Sequence, residues 1–303
     1  GGTGKYGGKG ILCEATGEAA IEIRNSTIEK AQGGNATGNG NGGNGIYSKG
    51  DLTIEGSTIG KWTTDSKNNQ IPDTDTGALG GNADAGAQGG HGIYSDGQLF
   101  ITQNAAITNA KGGDSKTTGG YGIYSDNNLT MGAGSKIGTA QGGSGEYGGR
   151  GIYSYRGLTI EGNIGTAKGG DGKSGSGGYG ISSELTLTLK EGSTIEKAQG
   201  GSSTGGDSTD IYSNGGDGIH SNSSLTMEAG SNIGTAQGGK GKSGNGGHGI
   251  YSKGGLTIKG GTIGKWKADG KTPDTDTGAL GGTATLGAEG GDGIHSNGKI
   301  DIT

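Results

Sequence analysis

The sequence predicts an all-β fold, a three-sided right-handed parallel β-helix (a β-solenoid) of about nine coils of roughly 30 residues, with glycine- and serine-rich loops at one corner. Three observations carry this. Of the 303 residues, 80 are glycine and only two are proline. The apolar residues, 26% of the chain, fall in short alternating clusters, a sign of strands and not of disorder. Those clusters recur in one order from end to end, as a stack of like units requires.

The first element of each coil is the phrase G-G-x-G-I-Y-S, at 42–48, 89–95, 119–125, 148–154 and 246–252. Variants stand at 177–183, 215–221 and 290–296, and a degraded copy at 7–13. Its alternation points Ile46 and Ser48 to one face and Tyr47 to the other. The second element is L-T-I or a relative, at 52–54, 99–101, 129–131, 158–160, 187–189, 225–227 and 256–258. At the two ends it reads I-E-I (21–23) and I-D-I (300–302). Here Leu52 and Ile54 face inward and Thr53 outward. The third is S-T-I-G-T-A-Q-G-G, with its isoleucine at Ile28, Ile59, Ile107, Ile137, Ile164, Ile195, Ile233 and Ile263.

Three short strands per coil describe a three-sided β-helix, and parallel crossovers favour the right hand. At about 4.8 Å per coil the rod is on the order of 40 Å long. One coil cannot bury its apolar face alone, but stacked coils share columns of isoleucine, leucine and serine. Cys13 falls in the serine column as a small buried filler. Glycine-rich corners are expected to supply positive φ and close backbone approach. The loops at 33–45, 112–122, 169–180 and 200–218 leave from one corner and are expected to decorate one edge.

Two coils carry a larger insertion. Lys61-Trp62 leads to P-D-T-D-T-G-A-L-G-G at 72–81, and Lys265-Trp266 leads to the same phrase at 273–282. These coils open at Gly42 and Gly246, an offset of 204 residues (246 − 42). Residues 42–102 match 246–303, so a block of coils is duplicated. We read 1–303 as one continuous solenoid segment. Lacking a capping helix or a polar terminal repeat, it is expected to be a window of a longer array.

Composition excludes several classes. The net charge is −5 with interspersed signs, and arginine occurs only at Arg24, Arg150 and Arg156. No basic run invites nucleic acid. No apolar stretch approaches a membrane span. A single cysteine excludes an internal disulfide framework.

Four features bear on ligands. The outward column Tyr47, Tyr94, Tyr124, Tyr153 and Tyr251, interrupted by Ser182, His220 and His295, is a candidate carbohydrate-binding face; the competing reading is sheet stabilisation by neighbouring pairs. Asp73 with Asp75, and Asp274 with Asp276, resemble the start of a calcium loop, against the reading of a polar turn. Calcium is the one cofactor these residues suggest. The variable position of G-G-x-G brings Asp217, His248 and Asp292 onto successive coils, a candidate metal column. The outward threonines Thr53, Thr130, Thr159, Thr188, Thr226 and Thr257 suggest an ice-binding rank, against ordinary β-propensity. No local constellation pairs a nucleophile with a base, so an enzyme is not expected.

The stretch G-I-Y-S-K-G-D-L-T-I-E-G-S-T-I (45–59) resembles the repeats of a carbohydrate-binding β-helix family of anaerobic Firmicutes, whose coils read G-I-K-S-x-G-D-L-T-I-x-G-G-T-I. Autotransporter adhesin passengers are more distantly similar. The resemblance implies a secreted or cell-surface protein, sugar binding and a calcium site. The glycine-serine loop in every coil departs from that family and favours a fibrous scaffold. The expected function is a non-enzymatic extracellular structural or adhesive rod, self-associating end to end into a fibre. A carbohydrate-binding module engaging polysaccharide is the alternative. A glycan-active enzyme or phage tailspike, and an ice-binding solenoid, are others.

Overall fold

The structure is a computed structural model that describes residues 1–18, 20–85, 87–205, 213–265, 274–285 and 288–303. Among them the fold is all β, with no helix. Its strands stack into parallel sheets, as in a β-solenoid.

The first phrases form one nine-stranded sheet whose strands follow chain order, from Ile11–Cys13 and Ile46–Ser48 to Ile294–Ser296. The second phrases form another nine-stranded sheet, from Ile21–Arg24 to Ile300–Ile302. The third phrases form an eleven-stranded sheet. Uninterrupted members such as Lys136–Gln141 span six residues. Where an insertion enters, the strand is split, as in Thr58–Ile59 with Gly77–Leu79.

Among the described residues the register does not slip. Ile46 pairs Ile93, Ile93 pairs Ile123 and Ile123 pairs Ile152. Like side chains therefore stack into columns. Ile123, Leu129 and Ile137 are almost fully buried, and alanines such as Ala140 complete the core. Burying each large side chain contributes about 1.5–3 kcal/mol. The serine column closes the corner between the first two sheets. Ser95 Oγ lies between the carbonyls of Gln98 (3.1 Å) and of Gly50 on the preceding coil (2.9 Å). Ser125 and Ser154 repeat the pattern. Cys13 stacks on Ser48 in this column, half-buried, with its thiol towards the Ala20 carbonyl.

The glycine pairs do something different from what turn chemistry alone predicts. None of the described glycines of the G-G-x-G phrases has positive φ. Positive φ is concentrated at the corner between the second and third strands, at Gly56, Gly134, Gly192 and Gly230. The G-G pairs instead build a ladder of backbone bonds. Gly113 N–H donates to the Gly90 carbonyl, Gly120 to Gly113, Gly143 to Gly120, and Gly149 to Gly143, each at 2.8 Å. The chain leaving one coil thus alternates with the chain entering the next. A Cβ on Gly143 would lie 2.0 Å from the Gly113 oxygen, so only glycine fits.

The loops beyond this ladder stack too, and do not merely project from one edge. Ala36 bridges Ala83, and Ala83 bridges Ser115. Side-chain oxygens climb with them: Asn35 Oδ1 accepts from the Asn82 amide, and Asn82 Oδ1 from the Asp114 amide, both at 2.9 Å. The result is an ordered arm beside the sheets, made largely of backbone.

Candidate binding groove

The arm and the first sheet meet at an angle, and the tyrosine column stands in that angle. Its position is half-buried, and at Tyr153 fully buried with 6% exposure. It is less open than an outward strand position suggests. The reason is the neighbouring variable position of G-G-x-G, whose side chains pack against it.

The rings stack on each other along the rod. Centroids lie 5.3 Å apart for Tyr47–Tyr94, 4.7 Å for Tyr94–Tyr124 and 5.1 Å for Tyr124–Tyr153. The last two pairs are within 10° of parallel. At Ser182 the column lacks a ring, and the variable position fills the gap. The Arg150 guanidinium lies 4.0 Å from the Tyr153 centroid and 5.1 Å from Tyr179. Tyr179 stacks on His220 at 4.2 Å, His220 on Tyr251 at 4.7 Å, and Tyr251 on His295 at 5.4 Å. A cation over a ring contributes about 0.5–2 kcal/mol, and an aromatic pair about 0.5–1.5 kcal/mol. The faces that would stack on sugars are turned to one another.

The hydroxyls are also engaged. Tyr47 donates to Asp96 Oδ2 (2.8 Å), Tyr124 to Asp126, and Tyr153 to Glu184 Oε1 (3.0 Å). Burial, then the bonded carboxylate, pushes the Tyr47 phenol up to about 12 and raises those of Tyr94 and Tyr124. Arg150 pairs with Glu184 at 3.0 Å. Burial opposes ionisation of Glu184, but hydrogen bonds from Arg150 and Asn222 outweigh it and hold the carboxyl below its ordinary range.

The D-T-D-T segments are turns. Asp73 Oδ1 accepts from the Asp75 amide at 2.9 Å, and Asp274 Oδ1 from the Asp276 amide at 3.1 Å. Thr76 and Thr277 accept from the amides of Lys61 and Lys265 and so close the base of each insertion. Gly77 and Gly278, at φ 106° and 107°, show one geometry in both copies. Trp266 and Pro273 lie outside the described residues. In the first copy, Trp62–Thr64 and Gln70–Pro72 pair antiparallel. This hairpin leans over Gly138 and walls a groove of about 870 Å³ with Trp62, Ile71 and Pro72.

The metal column is rearranged. Asp217 faces His220, with Oδ2 2.6 Å from Nδ1. Among the described residues, one group of three gathers metal-ligating atoms: His248, Asp292 and His295. The Nδ1 of His248 already accepts the Asp292 amide at 2.9 Å. His295 lies between Asp292 Oδ2 (2.7 Å) and Asn297 Oδ1 (2.8 Å). Those bonds raise its pKa above the ordinary histidine value.

One residue escaped the sequence reading. His91 occupies a variable position, and its own G-G-H-G phrase carries no other mark. The structure buries it to 7% exposure, with three tyrosines around it: Tyr94 and Tyr121 at 5.0 Å and Tyr124 at 5.4 Å. Its Nδ1 accepts the Tyr121 amide at 2.9 Å. Burial pushes its pKa down to about 4, so the ring is neutral and carries its proton on Nε2. His91 lines a groove of about 610 Å³ with Lys9, Asn41, Asn44, Gln88 and Tyr47.

No family model matches this chain, and no curated protein or solved structure matches it either.

Proposed function

We propose that this chain is a segment of a rigid, non-enzymatic structural rod at the cell surface or outside the cell. In this reading it is a three-sided right-handed β-helix of about nine coils, and copies join end to end into a filament. One observation carries it: among the described residues, pairing stays in register from coil to coil, in the three sheets and again in the glycine ladder. A rod that cleaves is expected to break its repeat to build a site. This one departs from it chiefly in insertions of shared turn geometry, in coils that open 204 residues (246 − 42) apart. Stacking parallel strands along one axis resists bending because each coil is bonded to the next on several sides.

Electron microscopy of the native material tests the reading. Long unbranched filaments of uniform width are expected. Short discrete particles that do not associate would overturn it.

A further inference from the structure

The groove at His91 has an unusual inventory. Asn44 and His91 are 8% and 7% exposed. Each has its acceptor committed to the backbone of the next coil. Asn44 Oδ1 accepts the His91 amide at 2.9 Å, and His91 Nδ1 accepts the Tyr121 amide at 2.9 Å. These bonds fix the amide orientation of Asn44 and the tautomer of His91. The atoms left over, Asn44 Nδ2 and His91 Nε2, are both donors, and among the described residues neither has a hydrogen-bond acceptor. Asn41 adds a third, since its Oδ1 accepts the Gln88 amide at 3.2 Å. Lys9, one coil below Asn44 in the same column, is the single charged side chain lining the groove. The tyrosine hydroxyls do not compensate as acceptors, because Asp96 and Asp126 orient them.

A groove offering donors and one positive charge selects a negatively charged acceptor. We propose that it binds a carboxylate-bearing ligand, whose carboxylate accepts from Asn44 Nδ2 and His91 Nε2 with Lys9 as counter-charge. The tyrosines supply its apolar wall through their ring edges. In the matching coil of the duplicated block, Asp292 stands where His91 does and His295 where Tyr94 does. The donor set belongs to this groove alone among the two copies.

The same column supplies a clean test. Asp217 holds the His248 amide at 2.6 Å just as Asn44 holds the His91 amide. Asn44→Asp therefore keeps the backbone bond and replaces a donor with a negative acceptor. Ligand-observed saturation-transfer NMR at neutral pH would use three probes: trigalacturonate, its neutral methyl ester, and the non-sugar tricarboxylate tricarballylate. Trigalacturonate is expected to bind at least tenfold more tightly than its ester. Asn44→Asp should weaken it at least tenfold, and Lys9→Gln should weaken it while leaving the ester unchanged. Asp217→Asn, in the same column but outside the groove, should have no effect. Binding of tricarballylate assigns recognition to the carboxylate alone; its failure beside bound trigalacturonate assigns part of it to the sugar scaffold. Equal binding of acid and ester, no binding of either acid, or full binding by Asn44→Asp with an unchanged circular dichroism spectrum would overturn the proposal. None of these outcomes bears on filament formation.

Discussion

The three sheets and the glycine arm solve one packing problem in opposite ways. The sheets exclude water with side chains: Ile123 sits between Ile93 and Ile152, and each column repeats one residue type. The arm excludes water with backbone: Gly143 sits between Gly113 and Gly170, with no side chain between them. A side-chain core tolerates small errors, since a methylene lost or moved is absorbed by neighbours. A backbone core tolerates none, because an added Cβ meets a carbonyl that holds the ladder.

That contrast sets the order of effects. Gly143→Ala places a Cβ 2.0 Å from the Gly113 oxygen and should cost more than about 4 kcal/mol, the range kept for exceptional substitutions. Urea unfolding followed by circular dichroism would show it, and a loss under 1 kcal/mol would break the comparison. Ile123→Ala empties one position of a side-chain column and should cost about 2–5 kcal/mol.

Acid should act next, through His91. Its folded pKa, about 4, lies below the unfolded value of about 6.5. The unfolded chain then binds more protons between these values, so stability falls as pH drops from 6.5 towards 4. The loss approaches about 3 kcal/mol at the low end. Asparagine can take the Tyr121 amide as Asn44 takes the amide of His91, so His91→Asn should flatten that slope in melting curves. His295 works in the opposite sense. Its pKa is raised by Asp292 and then Asn297, so its smaller contribution is full below about pH 6.5 and is lost as pH rises through the folded value.

Gly192→Ala should be the mildest change. Gly192 has φ +74° and nothing within 4 Å of its would-be Cβ. Conformational strain alone should cost about 1 kcal/mol, after the gain from a stiffer unfolded chain. Equal losses for Gly143→Ala and Gly192→Ala would mean the arm is not a packed core.

The strands were legible because their alternation is local. Ile46, Tyr47 and Ser48 alternate in three residues, and the burial pattern follows them. The tyrosine column was legible only in part. Tyr94 and Tyr124 share one face, as their place in the strands predicts, but their stacking on each other, with Asp126 taking both hydroxyls, joins two coils. The substitution of Tyr179 for the ring missing at Ser182 is a contact between two different repeat positions, which periodicity does not report. His91 was missed for the same reason: its neighbours come from three coils.

The sequence by itself determined the strands, their order, the inward residues and the duplicated insertion. Each follows from alternation and repetition along one chain. Tertiary structure decided which glycines turn and which pack, because both types read alike and only the distance to the next coil separates them. It also decided that the arm closes over the tyrosine column and that Asn44 and His91 meet in one groove. Those outcomes depend on which acceptors the neighbouring backbone occupies, and that accounting exists only once the coils are stacked.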